Sequence, residues 1–144
     1  MKAAGFNIVA EKISELRIRM EEQADIQGFK PVIEENVHYD LEVSLSEINA
    51  NFLNELKRLE PFGNENSYPV FLARQITVKN LKLLNDSHLR FYAVQGRNSI
   101  SAIAFHKAHL AESLQKNDVN LIFEARFNIY QGVENVQLIV LGTV

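Results

Sequence analysis

Two periodicities divide this chain. Between positions 9 and 26 the apolar residues Val9, Ile13, Leu16, Met20 and Ala24 recur at helical spacing, with Glu11, Glu15, Arg17, Arg19 and Glu22 between them. That pattern predicts an amphipathic helix with one apolar stripe. Gly28 supplies its stop, and Pro31 lies just beyond. Over 36–45 the period falls to two. Val37, Tyr39, Leu41, Val43 and Leu45 alternate with His38, Asp40, Glu42 and Ser44, which predicts a half-buried strand. A second helix is expected after Ser46 as N-cap, with Ile48, Phe52, Leu53, Leu56 and Leu59 as its stripe. It ends at Glu60-Pro61, because a residue before proline is biased away from helical geometry.

After the loop at 61–69 alternation takes over. Strands are predicted over 70–84, with a bend near Asn80, over 88–95, and over 99–105 across a tight Gln95-Gly96-Arg97-Asn98 turn. A short helix follows at 108–116, and a last hairpin joins 120–130 to 136–143 across Gln131–Asn135. Three strands, one helix and two strands in this order match the five-stranded Greek-key OB barrel, an order other small barrels share. The expected architecture is α+β: an OB-fold barrel preceded by a helix-strand-helix segment.

Composition narrows the class. With 144 residues, 47% hydrophobic and 23% charged, the chain can bury roughly two thirds of its unfolded surface. No apolar run approaches the roughly 20 residues that cross a bilayer, so no membrane partner is expected, and no signal-peptide pattern appears. There is no Cys, which excludes disulfides and thiolate metal sites and suits a reducing cytoplasm, the expected location. The net charge of -3 hides an asymmetry. Residues 1–68 carry seven basic and thirteen acidic side chains, whereas 69–144 carry eight and five. The second half is the one that attracts an anion.

Alternation also sorts the barrel faces. In the second barrel strand Leu89, Phe91 and Ala93 are read as inward, with His88, Arg90, Tyr92 and Val94 outward. In the fourth, Leu121, Phe123, Ala125, Phe127 and Ile129 are inward, with Glu124, Arg126, Asn128 and Tyr130 outward. Phe91, Ile103, Phe123, Phe127 and Leu138 are expected to share one barrel core. The outward sets mix cations with aromatic rings, the chemistry that meets phosphates and stacks on unpaired bases. OB barrels bind on their middle strands and on the loops between strands one and two and between four and five, here Asn85–Ser87 and Gln131–Asn135. Arg90, Tyr92, Arg126, Tyr130 and His88 are therefore candidate nucleic-acid contacts, with Lys79 and Arg97 as less specific cations. The same residues also fit a structural role: tyrosines covering a barrel edge, arginines paired with Glu124. No catalytic site is marked. His106 and His109 are three apart but lack a third ligand, the glycines are scattered, and no nucleophile stands with a base and an acid. No metal site is expected.

Four segments in order, Ala3–Phe6 (AAGF), Leu59–Phe71 (LEPFGNENSYPVF), His88–Arg90 (HLR) and Ala102–Phe105 (AIAF), resemble the C-terminal part of the RecJ family. These are single-strand-specific 5′ to 3′ DNA exonucleases of the DHH phosphoesterase superfamily. The likeness implies that the chain opens inside the family's Gly-Gly-His-x-x-Ala-Ala-Gly-Phe turn, so that 1–35 is the tail of a DHHA1 domain, 36–68 a strand-helix connector and 69–144 the OB barrel. It further implies a parent enzyme whose catalytic DHH domain and divalent metals, Mn or Mg, lie upstream, with no cofactor in this stretch. The implied partners are single-stranded DNA, the upstream DHH and DHHA1 domains, and a single-strand-binding protein or another repair partner.

The chain departs from the family's Pro-Phe-Gly-x-Gly-Asn-Pro-x-Pro-x-Phe linker at Glu65, which replaces a Gly, and at Ser67, which replaces a Pro. Either the loop has another geometry or Glu65 is strained there. Two functions fit what is left: a single-stranded-DNA-binding module in DNA repair and recombination, or an interaction module that docks on protein with little DNA contact.

Overall fold

The computed structural model of the protein describes residues 9–26, 38–130 and 132–144. The expectations on Ala3–Phe6, Gly28, Pro31, Val37 and Gln131 lie outside the described residues. The chain divides into two compact units, Met1–Glu34 and Glu35–Val144.

In the first unit a 3-10 turn at Ala10–Lys12 leads into helix α1, Ile13–Ile26, built mainly from good helix formers. Glu15 and Arg19 pair at 2.7 Å one turn apart. Val9, Ile13, Ile18 and Met20 are exposed.

The second unit is one sheet closed on itself. Its strands are β1 (Leu41–Glu42), β2 (Phe71–Leu84), β3 (His88–Gln95), β4 (Asn98–Ala104), β5 (Val119–Tyr130) and β6 (Val133–Thr143). They run in the order β1-β2-β3-β4-β6-β5, and β2 pairs again with β5 to close a five-stranded barrel. All barrel ladders are antiparallel except the parallel β4–β6 pair. This is the OB topology, as expected.

Both hairpin turns of β3–β4 and β5–β6 span two residues, with Gly96 (φ 60) and Gly132 (φ 77) in the left-handed conformation such turns require. The second is tighter than expected. Tyr130 faces Val133 across the ladder, so Val133–Asn135 belong to β6 rather than to a loop.

The core is built from Phe71, Ile76, Leu89, Phe91, Leu121, Phe123, Leu138 and Val140, with alanines 93, 102, 104 and 125 where the strands crowd. Short helix α3 (Ala111–Leu114) adds fully buried Leu114. Helix α2 (Ala50–Leu56) adds Leu53, and Phe52 meets the Phe71 ring edge-on at 5.4 Å.

Several expectations are corrected here. The strand read over 36–45 is two residues long. It lies parallel to the start of β2, tied by Asp40 N to Val70 O at 2.8 Å and Val43 N to Leu72 O at 2.9 Å. Val43 and Leu45 are buried as the alternation implied, but Tyr39 and Leu41 are exposed. Period two reports which way a strand faces, not whether a core lies beneath each position. Ile129 repeats the lesson: it keeps the inward parity of β5 yet is 71% exposed.

The α2 N-cap is Asn49, whose side chain accepts from Phe52 N at 3.1 Å, rather than Ser46. Ser44 and Glu47 close a turn of their own, with the Glu47 carboxylate accepting from Ser44 N at 2.7 Å, and the helix begins only after the extended residue Asn49. Leu59 falls on a 3-10 turn, Lys57–Leu59, whose tighter winding swings it off the stripe into solvent. In β4 the inward residues are Ile100, Ala102 and Ala104, leaving Ile103 outside the core.

A candidate nucleic-acid interface

Two bulges set which side chains reach the outer face of β2. At Gln75 (φ 55) the ladder to β5 shifts between Ala73 and Ile76, and the freed Gln75 N donates to Asn120 Oδ1 at 3.2 Å. At Asn80 (φ 55) the ladder to β3 shifts, so Lys79 opposes Tyr92 and Lys82 opposes Arg90. Residues three apart on a regular strand point to opposite faces. The extra residue brings both lysines to the outside, while Val78 and Leu81 stay against the core. Asparagine tolerates the left-handed backbone this needs.

Beside these lysines lies an open groove of about 740 Å³. Arg90, Tyr92, Ile103 and Phe105 line one part, and Ser101, Asn128, Asn135 and Gln137 another. None of its lining residues is acidic. Tyr92 is 41% and Phe105 48% exposed, so ring faces are available. Another polar cleft on the barrel is lined by Glu42, Glu47 and Arg74, with Glu42 paired to Arg74 at 2.9 Å, and suits an anion less.

The candidate residues separate. Arg90 and Tyr92 sit together in the groove, with Lys79 beside Tyr92 on β2. Arg97 lies exposed at the β3–β4 turn, outside the groove lining. His88 is held in a local network. Its Nδ1 accepts from His106 N at 2.9 Å, its ring meets His106 at 4.4 Å and Phe105 at 5.5 Å, and Ser87 Oγ bonds His106 Nδ1 at 2.9 Å. His106, with φ 53, sits in the turn after β4 and not on a helix with His109.

Arg126 donates to Glu124 through two nitrogens at 2.7 Å, and its guanidinium lies over the Tyr68 ring at 3.9 Å. Tyr68 in turn donates its hydroxyl to Ala125 O at 2.6 Å and packs on Phe62 at 4.7 Å. Burial, the largest influence, raises the Tyr68 hydroxyl pKa above its ordinary value, with Arg126 lowering it and Glu124 and Glu60 raising it. Tyr130 closes the β5 ladder opposite Val133, and its side chain lies outside the described residues.

Phe105, Lys82 and Gln137 are not among the residues singled out from sequence, whereas Asn128 reads as outward and Asn135 as part of a binding loop. Alternation from buried Leu138 puts Gln137 on the outer side of β6, and nothing local distinguishes it.

The linker loop has found another geometry. Gly63 and Asn66 bridge each other, Asn66 Nδ2 donates to Leu59 O at 2.8 Å and Pro61 O at 3.0 Å, and Glu65 has no left-handed backbone. Among the described residues no three His, Asp or Glu side chains converge to hold a metal ion, and no helix is long and apolar enough to cross a membrane.

Comparison with known proteins agrees with this fold. The chain is 25% identical over 145 aligned residues to the single-stranded-DNA-specific exonuclease RecJ of Bacillus subtilis (strain 168), covering 96% of this chain and 18% of that protein. Two crystal structures of RecJ from Thermus thermophilus, in complex with Mn2+ and with Mg2+, superpose with TM-scores of 0.60 and 0.59 at 20% and 21% identity. Each match covers 96% of this chain, and 20% and 21% of those chains respectively. The chain thus spans about a fifth of the length of these relatives. Residues 39–142 match the family model of the RecJ OB domain, and the chain belongs to that family.

Proposed function

We propose that this barrel binds single-stranded DNA through the β3–β4 groove and guides it to the nuclease core of a RecJ-type exonuclease acting in the cytoplasm in DNA repair and recombination. The observation that carries the reading is the groove itself: exposed Tyr92 and Phe105 rings, the Arg90 cation and no carboxylate, on the middle strands where OB barrels take ligands. The name of the Bacillus relative, a single-stranded-DNA-specific exonuclease, supports the same substrate. In this reading catalysis rests with other domains of the parent, which would hold divalent metals of the kind bound in the Thermus RecJ structures.

A second reading, docking on the parent enzyme or on a repair partner such as a single-strand-binding protein, draws on Ile129 and Val133, exposed near the tip of the β5–β6 hairpin. Titrating a fluorescent oligonucleotide at several salt concentrations separates the two. A groove that holds DNA gives Kd values that rise steeply with salt and weaken in Arg90→Ala, whereas undetectable binding with intact docking to the parent's other domains favours the second.

A further inference from the structure

We infer that the groove orients a single strand in two lanes, with phosphates along β2–β3 and bases across β4 and β6 toward β5, where side-chain amides and hydroxyls receive them. This rests on the single-strand reading above and adds an orientation to it. Directly opposed residues of a ladder share a face, so the registers can be followed across the barrel. One row runs Lys79, Tyr92, Ser101, Gln137, Arg126, and the next runs Lys82, Arg90, Ile103, Ile139, Glu124. A third row holds Val94 and Ser99, and Asn128 faces Asn135 across β5–β6.

The cations Lys79, Lys82 and Arg90 stand on β2 and β3 only. Tyr92 on β3, Ile103 on β4 and Phe105 just past β4 add apolar and aromatic surface, and neutral hydrogen-bonding groups occupy β4, β6 and β5 at Ser99, Ser101, Gln137, Asn135 and Asn128. The far edge is closed electrostatically, because Arg126 is already paired with Glu124 and stacked on Tyr68.

Phosphates carry the charge of a strand and seek the cations. A base edge carries donors and acceptors without charge, and an amide offers both, so it serves any base. Asn135 and Gln137 are only loosely held, by contacts of 3.3 Å to Val133 O and 3.4 Å to Ser101 Oγ. From β3 to β6 is two strand spacings, about 10 Å, comparable to the reach from a phosphate across its sugar to the far edge of the base.

The test compares a labelled oligothymidine with an abasic strand of equal length and charge, titrated by anisotropy against the 144-residue chain at several salt concentrations. Expected is about tenfold weaker binding of the abasic strand with the same salt slope. The double variant Asn135→Ala, Gln137→Ala should weaken oligothymidine about fivefold, leave its slope unchanged and leave abasic binding untouched. Asn135→Ala alone, at an exposed position, gives the same readout at smaller size should the double variant not fold. Lys79→Ala with Lys82→Ala should weaken both ligands alike and reduce the slope by about 1.4, at about 0.7 per phosphate contact. Equal binding of the two ligands, or amide variants that weaken both equally, overturns the two lanes and leaves single-strand binding standing. Failure of the parent chain to bind either ligand overturns both readings.

Discussion

Arg126 and Arg90 both face outward from their strands, yet their surroundings differ. Arg126 is neutralised by Glu124 at 2.7 Å and stacked at 3.9 Å on Tyr68, whereas Arg90 lines the groove. Arg90→Ala is therefore expected to lower the salt slope of single-strand binding by about 0.7, and Arg126→Ala to leave it nearly unchanged. Tyr92→Ala and Phe105→Ala should each cost about 1–3 kcal/mol of binding with no change of slope, since a stacked ring meets no phosphate. Isothermal titration across a salt series reads both effects. Tyr68 carries a pH prediction. Chiefly through burial, its hydroxyl pKa is raised above its ordinary value in the folded chain, so the folded state keeps this proton longer than the unfolded one. Its contribution to stability is complete below the unfolded pKa and is lost as pH climbs through the folded pKa. Urea midpoints measured across the alkaline range should fall more steeply in the parent than in Tyr68→Phe.

At the scale of elements, β2 depends on its bulges. Asn80 at φ 55 turns Lys79 and Lys82 to one face while Val78 and Leu81 remain against the core. A β-branched side chain resists that backbone, so Asn80→Val should destabilise the chain by about 1–3 kcal/mol, whereas Asn80→Gly should be close to neutral, in urea melts. The start of β2 relies on a different tie. Gln95 at the end of β3 accepts from Ser44 Oγ at 2.9 Å and Leu45 N at 2.8 Å, and donates to Arg74 O at 2.8 Å. One side chain thus joins the β1 segment, β2 and β3.

For the whole molecule, the barrel core stands or falls together. Phe123 is fully buried and its ring meets that of Phe71 in a tilted pair, with centroids 6.1 Å apart. Phe123→Ala should cost about 3–5 kcal/mol, readable from denaturant midpoints. The 144-residue chain is also expected to release no nucleotides from single-stranded DNA with Mn or Mg, because two-metal phosphodiester cleavage needs ions about 4 Å apart in a shared ligand set. Metal-dependent digestion that is lost in His106→Ala would contradict this.

Much of this was legible along the chain, because strands, tight turns and helix ends are local events. Alternation gave β3 nearly residue for residue and the inward faces of β3 and β5, and Gly96 and Asn80 marked a turn and a bend through their backbone freedom. Local pattern leads to the wrong parity for β4, since it reads Ile103 as a core residue and Ile103 lies outside the core. Ile100 and Ile103 argue for opposite faces, and only closure against β3 and β6 selects the small Ala102 and Ala104, which fit where strands crowd. The length of β1 was likewise set by how far β2 runs beside it. The state of Arg126 depended on Tyr68, 57 residues before the Ala125 that its hydroxyl grips. Sequence determined the elements, their order and the direction of most side chains, since these follow from steric and solvation preferences within a few residues. Tertiary structure decided which outward cations line an open groove and which are neutralised, because an electrostatic partner is chosen by proximity in space.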